Sequence, residues 1–93
     1  MKNILLDSIN YNLLTNYRDA FDLEALTTRY TDYFHPYDYI LGDWSYGKLR
    51  LKGFYKKENK SCRNLNSYEN IDNYIKTNCA YDCRYFVIEK VIE

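Results

Sequence analysis

The segment 37-YDYILGDWSYGKLRLKGFY-55 decides how this chain folds. Two strand segments, Tyr37–Trp44 and Lys48 to about Lys56, flank Ser45-Tyr46-Gly47. A connection so short, with glycine in it, makes the two strands antiparallel neighbours. In the second strand Lys48, Arg50 and Lys52 alternate with Leu49, Leu51 and Gly53. Successive side chains of a strand point to opposite faces, so the bases share one face and the leucines the other. The segment also holds all three glycines and the single tryptophan. Gly42 and Gly53 weaken the strands they occupy, and such glycines mark a bulge or a close approach by another group.

Working outward, residues 3–6 and 9–15 form a first pair of strands joined near Asp7-Ser8. In the second of them Ile9, Tyr11 and Leu13 alternate with Asn10 and Asn12. Asp22 N-caps a helix in which Leu23, Leu26, Tyr30, Tyr33 and Phe34 recur at helical spacing, ending at His35-Pro36. After the central hairpin comes the polar segment 57-KENKS-61, the expected mobile loop. Asn66 and Glu69 have the spacing of a capping box, opening a helix with Tyr68, Ile71, Ile75 and Cys79 on one face. The final strand runs from Arg84 to Ile92. Its Tyr85-Phe86-Val87-Ile88 is apolar on both faces, which places it centrally. The order β-β-α-β-β-α-β predicts an α+β fold, a two-layer sandwich of a mostly antiparallel sheet with two helices on one face.

Ninety-three residues make one domain, residues 1–93. Twelve tyrosines against four phenylalanines suit a thin core, because tyrosine buries its ring and keeps its hydroxyl near water. Thirteen basic residues balance thirteen acidic ones, so the global field of a nucleic-acid carrier is missing, although a local patch is still open. No apolar run approaches the roughly 20 residues of a membrane span. The short N-terminal run interrupted by Asp7 is no signal peptide, so a cytoplasmic protein is expected, with Cys62, Cys79 and Cys83 reduced.

The sharpest candidate site is the basic stripe. With the leucines facing the helices, Lys48, Arg50 and Lys52 line an open sheet face and Phe54 continues their row. Cations for phosphates and a ring for a base are what an RNA-binding sheet offers. The alternative is an ordinary solvated face neutralised by Asp38 or Asp43 through cross-strand pairs. Trp44 beside Tyr46 either closes one end of the core or serves as an interface anchor. Cys79 and Cys83 lack a zinc-site or C-x-x-C spacing and read as small apolar residues, so no metal and no cofactor are expected. His35 before proline complements a helix end. No nucleophile motif, Walker loop or G-x-G-x-x-G is present, which disfavours an enzyme. The remaining catalytic alternative is a site assembled around Asp43, Arg50 and Arg18.

Together 16-NYRDAF-21, 28-TRY-30, 38-DYILGDWSYGKLRLKGF-54, Cys79, Cys83 and 85-YFVI-88 resemble the YutD-like family of small bacterial cytosolic proteins. The resemblance runs from about Asn3 to Val91, with Ala20 where the family often has glycine and a variable 56–66 segment. It implies an intracellular α+β domain and brings no activity to carry over. It directs attention to Tyr17, Arg18, Asp43, Trp44, Tyr46, Arg50, Lys52 and Gly53, with Arg18 and Asp19 expected near the hairpin. The function expected is a non-catalytic binding module, monomeric or weakly dimeric and away from membranes. It would recognise a ribonucleoprotein, RNA or protein partner through Arg18, Asp43, Trp44, Tyr46, Lys48, Arg50, Lys52 and Phe54. The alternative is a protein–protein adaptor or homodimer anchored on Trp44 and Tyr46.

Overall fold

Two hairpins with the same turn geometry supply four of the five strands in the computed structural model, which describes residues 2–78 and 83–91. Strands β1 (Asn3–Leu6) and β2 (Ile9–Tyr17) are joined by Asp7-Ser8, with φ of 49° and 66°. Strands β3 (Tyr39–Ser45) and β4 (Lys48–Phe54) are joined by Tyr46-Gly47, with φ of 53° and 76°. Two consecutive left-handed residues form the turn whose twist matches that of the flanking strands. Strand β5 (Tyr85–Lys90) lies between the hairpins, giving the sheet order β1-β2-β5-β3-β4, antiparallel throughout. The α+β class, the order of elements and the central place of the last strand are as the sequence indicates.

The helices α1 (Leu23–Arg29) and α2 (Ile71–Asn78) lie on opposite faces of this sheet. This corrects the expectation that both cover one face. Ile40, Phe86 and Ile88 join Leu26 of α1 in one core, whereas Leu41, Val87 and Phe54 join Ile71 of α2 in the other. The cause is visible in β3, where every residue from Tyr39 to Asp43 is buried. A strand covered on both sides needs apolar groups at consecutive positions. Strand β2 meets the same demand with Leu13 on the α1 side and Leu14 on the α2 side, Leu14 being the extra residue at a register shift between Leu13 and Thr15. The extra residue of such a bulge turns the following side chains over.

Helix α1 begins as expected, with the Asp22 carboxylate accepting from Ala25 N at 3.1 Å. It stops at Arg29 rather than near residue 34. Tyr30 is extended, and a 3-10 turn, Asp32–Phe34, follows. The hydroxyls of Tyr30 and Tyr11 lie 2.7 Å apart inside the core, and burial first, then this bond, pushes the Tyr11 pKa far up. Tyr30 is held there in extended backbone, which ends the helix.

The second helix begins at Ile71, not after an Asn66 cap. Ser67 caps the 3-10 turn Tyr68–Asn70 instead, its hydroxyl accepting from Glu69 N at 3.3 Å. The reason is a main-chain tie to the end of β4: Tyr55 N donates to Asn66 O at 2.7 Å and Tyr68 N to Tyr55 O at 2.9 Å. Ser67, extended at φ −81° and ψ 132°, separates two 3-10 turns, Asn64–Asn66 and Tyr68–Asn70, and so breaks the helical path there. Cys79 and Ile92, assigned above to the second helical face and the last strand, lie outside the described residues. Among the described residues no helix is long and apolar enough to cross a membrane.

Candidate functional site

The β3–β4 hairpin divides into a root and a tip. At the root the glycines are packing devices. A Cβ on Gly42 would stand 2.3 Å from the Phe86 ring, and one on Gly53 equally close, 2.3 Å, to the Tyr37 ring. The close approach that these glycines signal is therefore made by aromatic rings of the core. Pairing runs unbroken from Tyr39↔Phe54 to Ser45↔Lys48, so neither glycine marks a bulge. Tyr37 stacks on Tyr55 and bonds Tyr33, and that bond together with burial pushes its pKa up to about 12.

Asp38, a candidate partner for the basic stripe, serves a different purpose. Buried beneath the loop, it accepts from Lys56 N at 2.9 Å and Asn59 Nδ2 at 3.1 Å. It thereby fixes the first residues of the polar segment expected to be mobile. Asp43 does pair across the strands: Arg50 Nε donates to Oδ1 at 3.2 Å and Nη2 to Oδ2 at 2.6 Å. The carboxylate is only 4% exposed, and the same Nη2 reaches the Asn78 carbonyl at the end of α2, at 2.9 Å. Two parallel bonds to one carboxylate are the strong form of this pair. The arrangement clamps α2 to the sheet.

The face expected to be open is thus covered by α2. Phe54 is fully buried, edge-to-face with Tyr74 at 5.5 Å. Lys52 Nζ sits 5.8 Å from the centre of the Phe54 ring and 5.9 Å from that of Tyr74. The row of cations ending in an exposed ring is corrected accordingly: Phe54 belongs to the core, and Lys48 is the member standing clear of α2 at the tip. The expectation fails because alternation identifies two faces without saying what each one meets.

At the tip, Tyr46 is 100% exposed, in a left-handed conformation that bulky residues rarely adopt. Trp44 is half-buried at the margin of the α1 core, and its Nε1 donates to the Ala20 carbonyl at 2.8 Å. The Arg84 guanidinium lies 5.0 Å from the ring centre. Trp44 therefore closes one end of the core and keeps part of its side chain toward solvent. Arg18 and Asp19 form an exposed left-handed turn, with φ of 58° and 55°, immediately before Ala20. A shallow groove of about 350 Å³ separates the tip from α1. Asp22, Glu24, Thr28 and Arg29 wall it on one side, Trp44 and Lys48 on the other.

Arg84 is the functional-type residue that sequence reasoning missed. It precedes the last strand by one position, and nothing local marks it; only the pairing of β5 with β3 brings it to Trp44. Cys62 and Cys83 are half-buried free thiols, and Cys79 is outside the described residues. Among the described residues no three His, Cys, Asp or Glu side chains gather as a metal site.

Residues 5–89 match the profile of the family described as "Putative antitoxin YutD-like". A protein of Bacillus subtilis (strain 168) named "Putative antitoxin YutD" is 40% identical over 88 residues, spanning 95% of this chain and 97% of that one. The solution NMR structure of protein yutD from B. subtilis superimposes with a TM-score of 0.83 at 38% identity. The match covers 100% of this chain and 84% of that one. The chain belongs to the YutD-like family.

Proposed function

We propose that this YutD-like chain is a non-catalytic module that binds a protein partner through the tip of its β3–β4 hairpin. Tyr46 is the anchor, flanked by Trp44 and Lys48. The observation that supports this most is the full exposure of Tyr46 in a left-handed conformation. An L-residue in that region costs roughly 1–2 kcal/mol. Asparagine or glycine would fill the position more cheaply. A tyrosine that strains the turn and touches no core earns its place outside the monomer. Tyrosines of this kind, rigid and amphipathic, concentrate binding energy at interface centres. The relative's description as an antitoxin suits a chain whose work is to bind.

The ribonucleoprotein reading loses Phe54 to the core and keeps Trp44 and Tyr46 as its rings, with Lys48 and Arg18 the cations nearest the tip. The catalytic alternative has Asp43 and Arg50 engaged with each other and with α2.

A photo-crosslinking amino acid at position 46, compared with one at exposed position 58, tests the proposal in cells of the source organism. A protein adduct specific to position 46 is expected, and the same protein should be captured in low and high salt by the native chain and lost with Tyr46→Ser. Capture of RNA that falls away steeply with salt and ignores Tyr46→Ser would overturn the proposal in favour of phosphate contacts.

A further inference from the structure

Strand β4 is an edge of the sheet, and its hydrogen-bonding geometry assigns each residue a direction. The two-residue turn closes on the pair Ser45↔Lys48, so Lys48, Arg50, Lys52 and Phe54 turn their main-chain groups inward to β3. Asp38 N, donating to Phe54 O at 3.0 Å, confirms the phase. Leu49, Leu51, Gly53 and Tyr55 therefore present N–H and C=O outward. At Tyr55 the chain has already used this row, since residues 66–68 pair with it as a short parallel bridge. Among the described residues no main-chain bond reaches the outward groups of Leu49, Leu51 and Gly53. The groove beside α1 opens along the start of this same edge, at Lys48 and Leu49.

We infer that the β4 edge is a docking site for an extended peptide segment of a partner, which adds to the sheet as a sixth strand. The inference rests on the binding-module reading and names how the partner is held. A helix flanking an exposed sheet edge is the arrangement in which strand addition gains affinity from main-chain bonds and specificity from alternate side chains. The two faces set those side chains. On the α1 face the added strand lies beside Leu49, Leu51 and Ala25, which favours apolar residues. On the other face it lies beside Lys48, which stands clear at the tip, Arg50, which keeps about half of its side chain exposed beyond its Asp43 pair, and Lys52, which rests on the Phe54 and Tyr74 rings. The row favours acidic residues toward the tip. The segment recognised is thus an alternation of acidic and apolar residues. The same lysines and arginine discourage a second copy of this chain, because two β4 edges would bring like charges together.

The test uses the full ¹⁵N-labelled chain titrated with a decapeptide alternating glutamate and valine, and with one in which lysine replaces each glutamate. Strand addition predicts shifts of the Leu49, Leu51 and Gly53 amides and exchange slowed by about tenfold or more with the glutamate peptide alone, as newly bonded amides are protected. Leu51→Pro removes the outward N–H at an edge position where proline is tolerated, and should abolish the response. Leu51→Ala loses the same packing yet keeps the N–H, and should retain it. Silence of these three amides, shifts confined to Asn3 and Leu5 on the opposite edge, or an equal response to the lysine peptide would each overturn the inference. Tyr46→Ser should leave the peptide response intact. Loss of partner capture by Tyr46→Ser with no amide response in the native chain would therefore sink the edge inference and spare the tip.

Discussion

The root and the tip of one hairpin, fewer than ten residues apart, obey opposite economies. At the root Gly42 and Gly53 leave out side chains so that Phe86 and Tyr37 can lie flat against the strands, and Asp43 is sealed beneath Arg50. At the tip Tyr46 adds a large side chain where the backbone would rather have none. The lesson is that a glycine in a strand was the better clue to the core and a strained tyrosine the better clue to the surface. Local oddity has two sources, and burial tells them apart.

The largest effect that would test this division is alkaline titration. Burial first, and then hydrogen bonding to Glu89, raises the Tyr39 pKa, and burial raises those of Tyr11, Tyr30 and Tyr68; the bond to Tyr33 leads for Tyr37. A raised folded-state pKa means that the unfolded chain loses its proton first. Stability should be full below the ordinary tyrosine value of about 10 and fall as pH rises through and beyond about 12. Circular dichroism against pH checks this, and a fold indifferent to pH 12 would contradict the buried hydroxyls.

Gly42→Ala comes next. Its methyl would enter the Phe86 ring, and overpacking of this kind costs about 3 kcal/mol. Denaturant unfolding should show the loss, with partial recovery on adding Phe86→Leu because the two sites share one contact. If Gly42→Ala is neutral, the root is not packed as described. Asp43→Ala should cost somewhat less, about 2 kcal/mol, because Arg50 is left without its carboxylate but remains half-exposed to water. Amide exchange in α2 should rise with it, since Arg50 also holds the Asn78 carbonyl.

The smallest effect has the opposite sign. Tyr46→Asn gives the turn its preferred asparagine–glycine pair and should stabilise the fold by about 1 kcal/mol. Under the proposed function it should abolish partner capture at the same time. A variant that is more stable and still binds would refute the tip as anchor.

Much of the scaffold was legible in the residues themselves. Period-two alternation in 9–13 and 48–52, the Asp22 cap and the doubly apolar 85–88 correctly announced strands, a helix start and a central strand. Both helix ends nearest the aromatic residues were misjudged, because Tyr30 and Tyr68 keep helical spacing while tertiary partners, the Tyr11 hydroxyl and the Tyr55 carbonyl, hold them in other conformations. The candidate site was legible in part. Asp43 with Arg50 was available as a cross-strand pair, and Trp44 and Tyr46 as aromatics by a turn. Arg84 was not, and neither was the burial of Phe54.

The sequence alone determined the hairpins and which side chains share a face, since these follow from the two-residue period of a strand and the demands of a tight turn. Only the tertiary structure decided what each face meets. Periodicity is a property of one chain segment, whereas burial depends on which segment arrives from elsewhere. The arrival of α2 over Lys52 and Phe54 took the end of an apparent binding stripe into the core, and left the hairpin tip and the outer edge of β4 as the surfaces proposed for a partner.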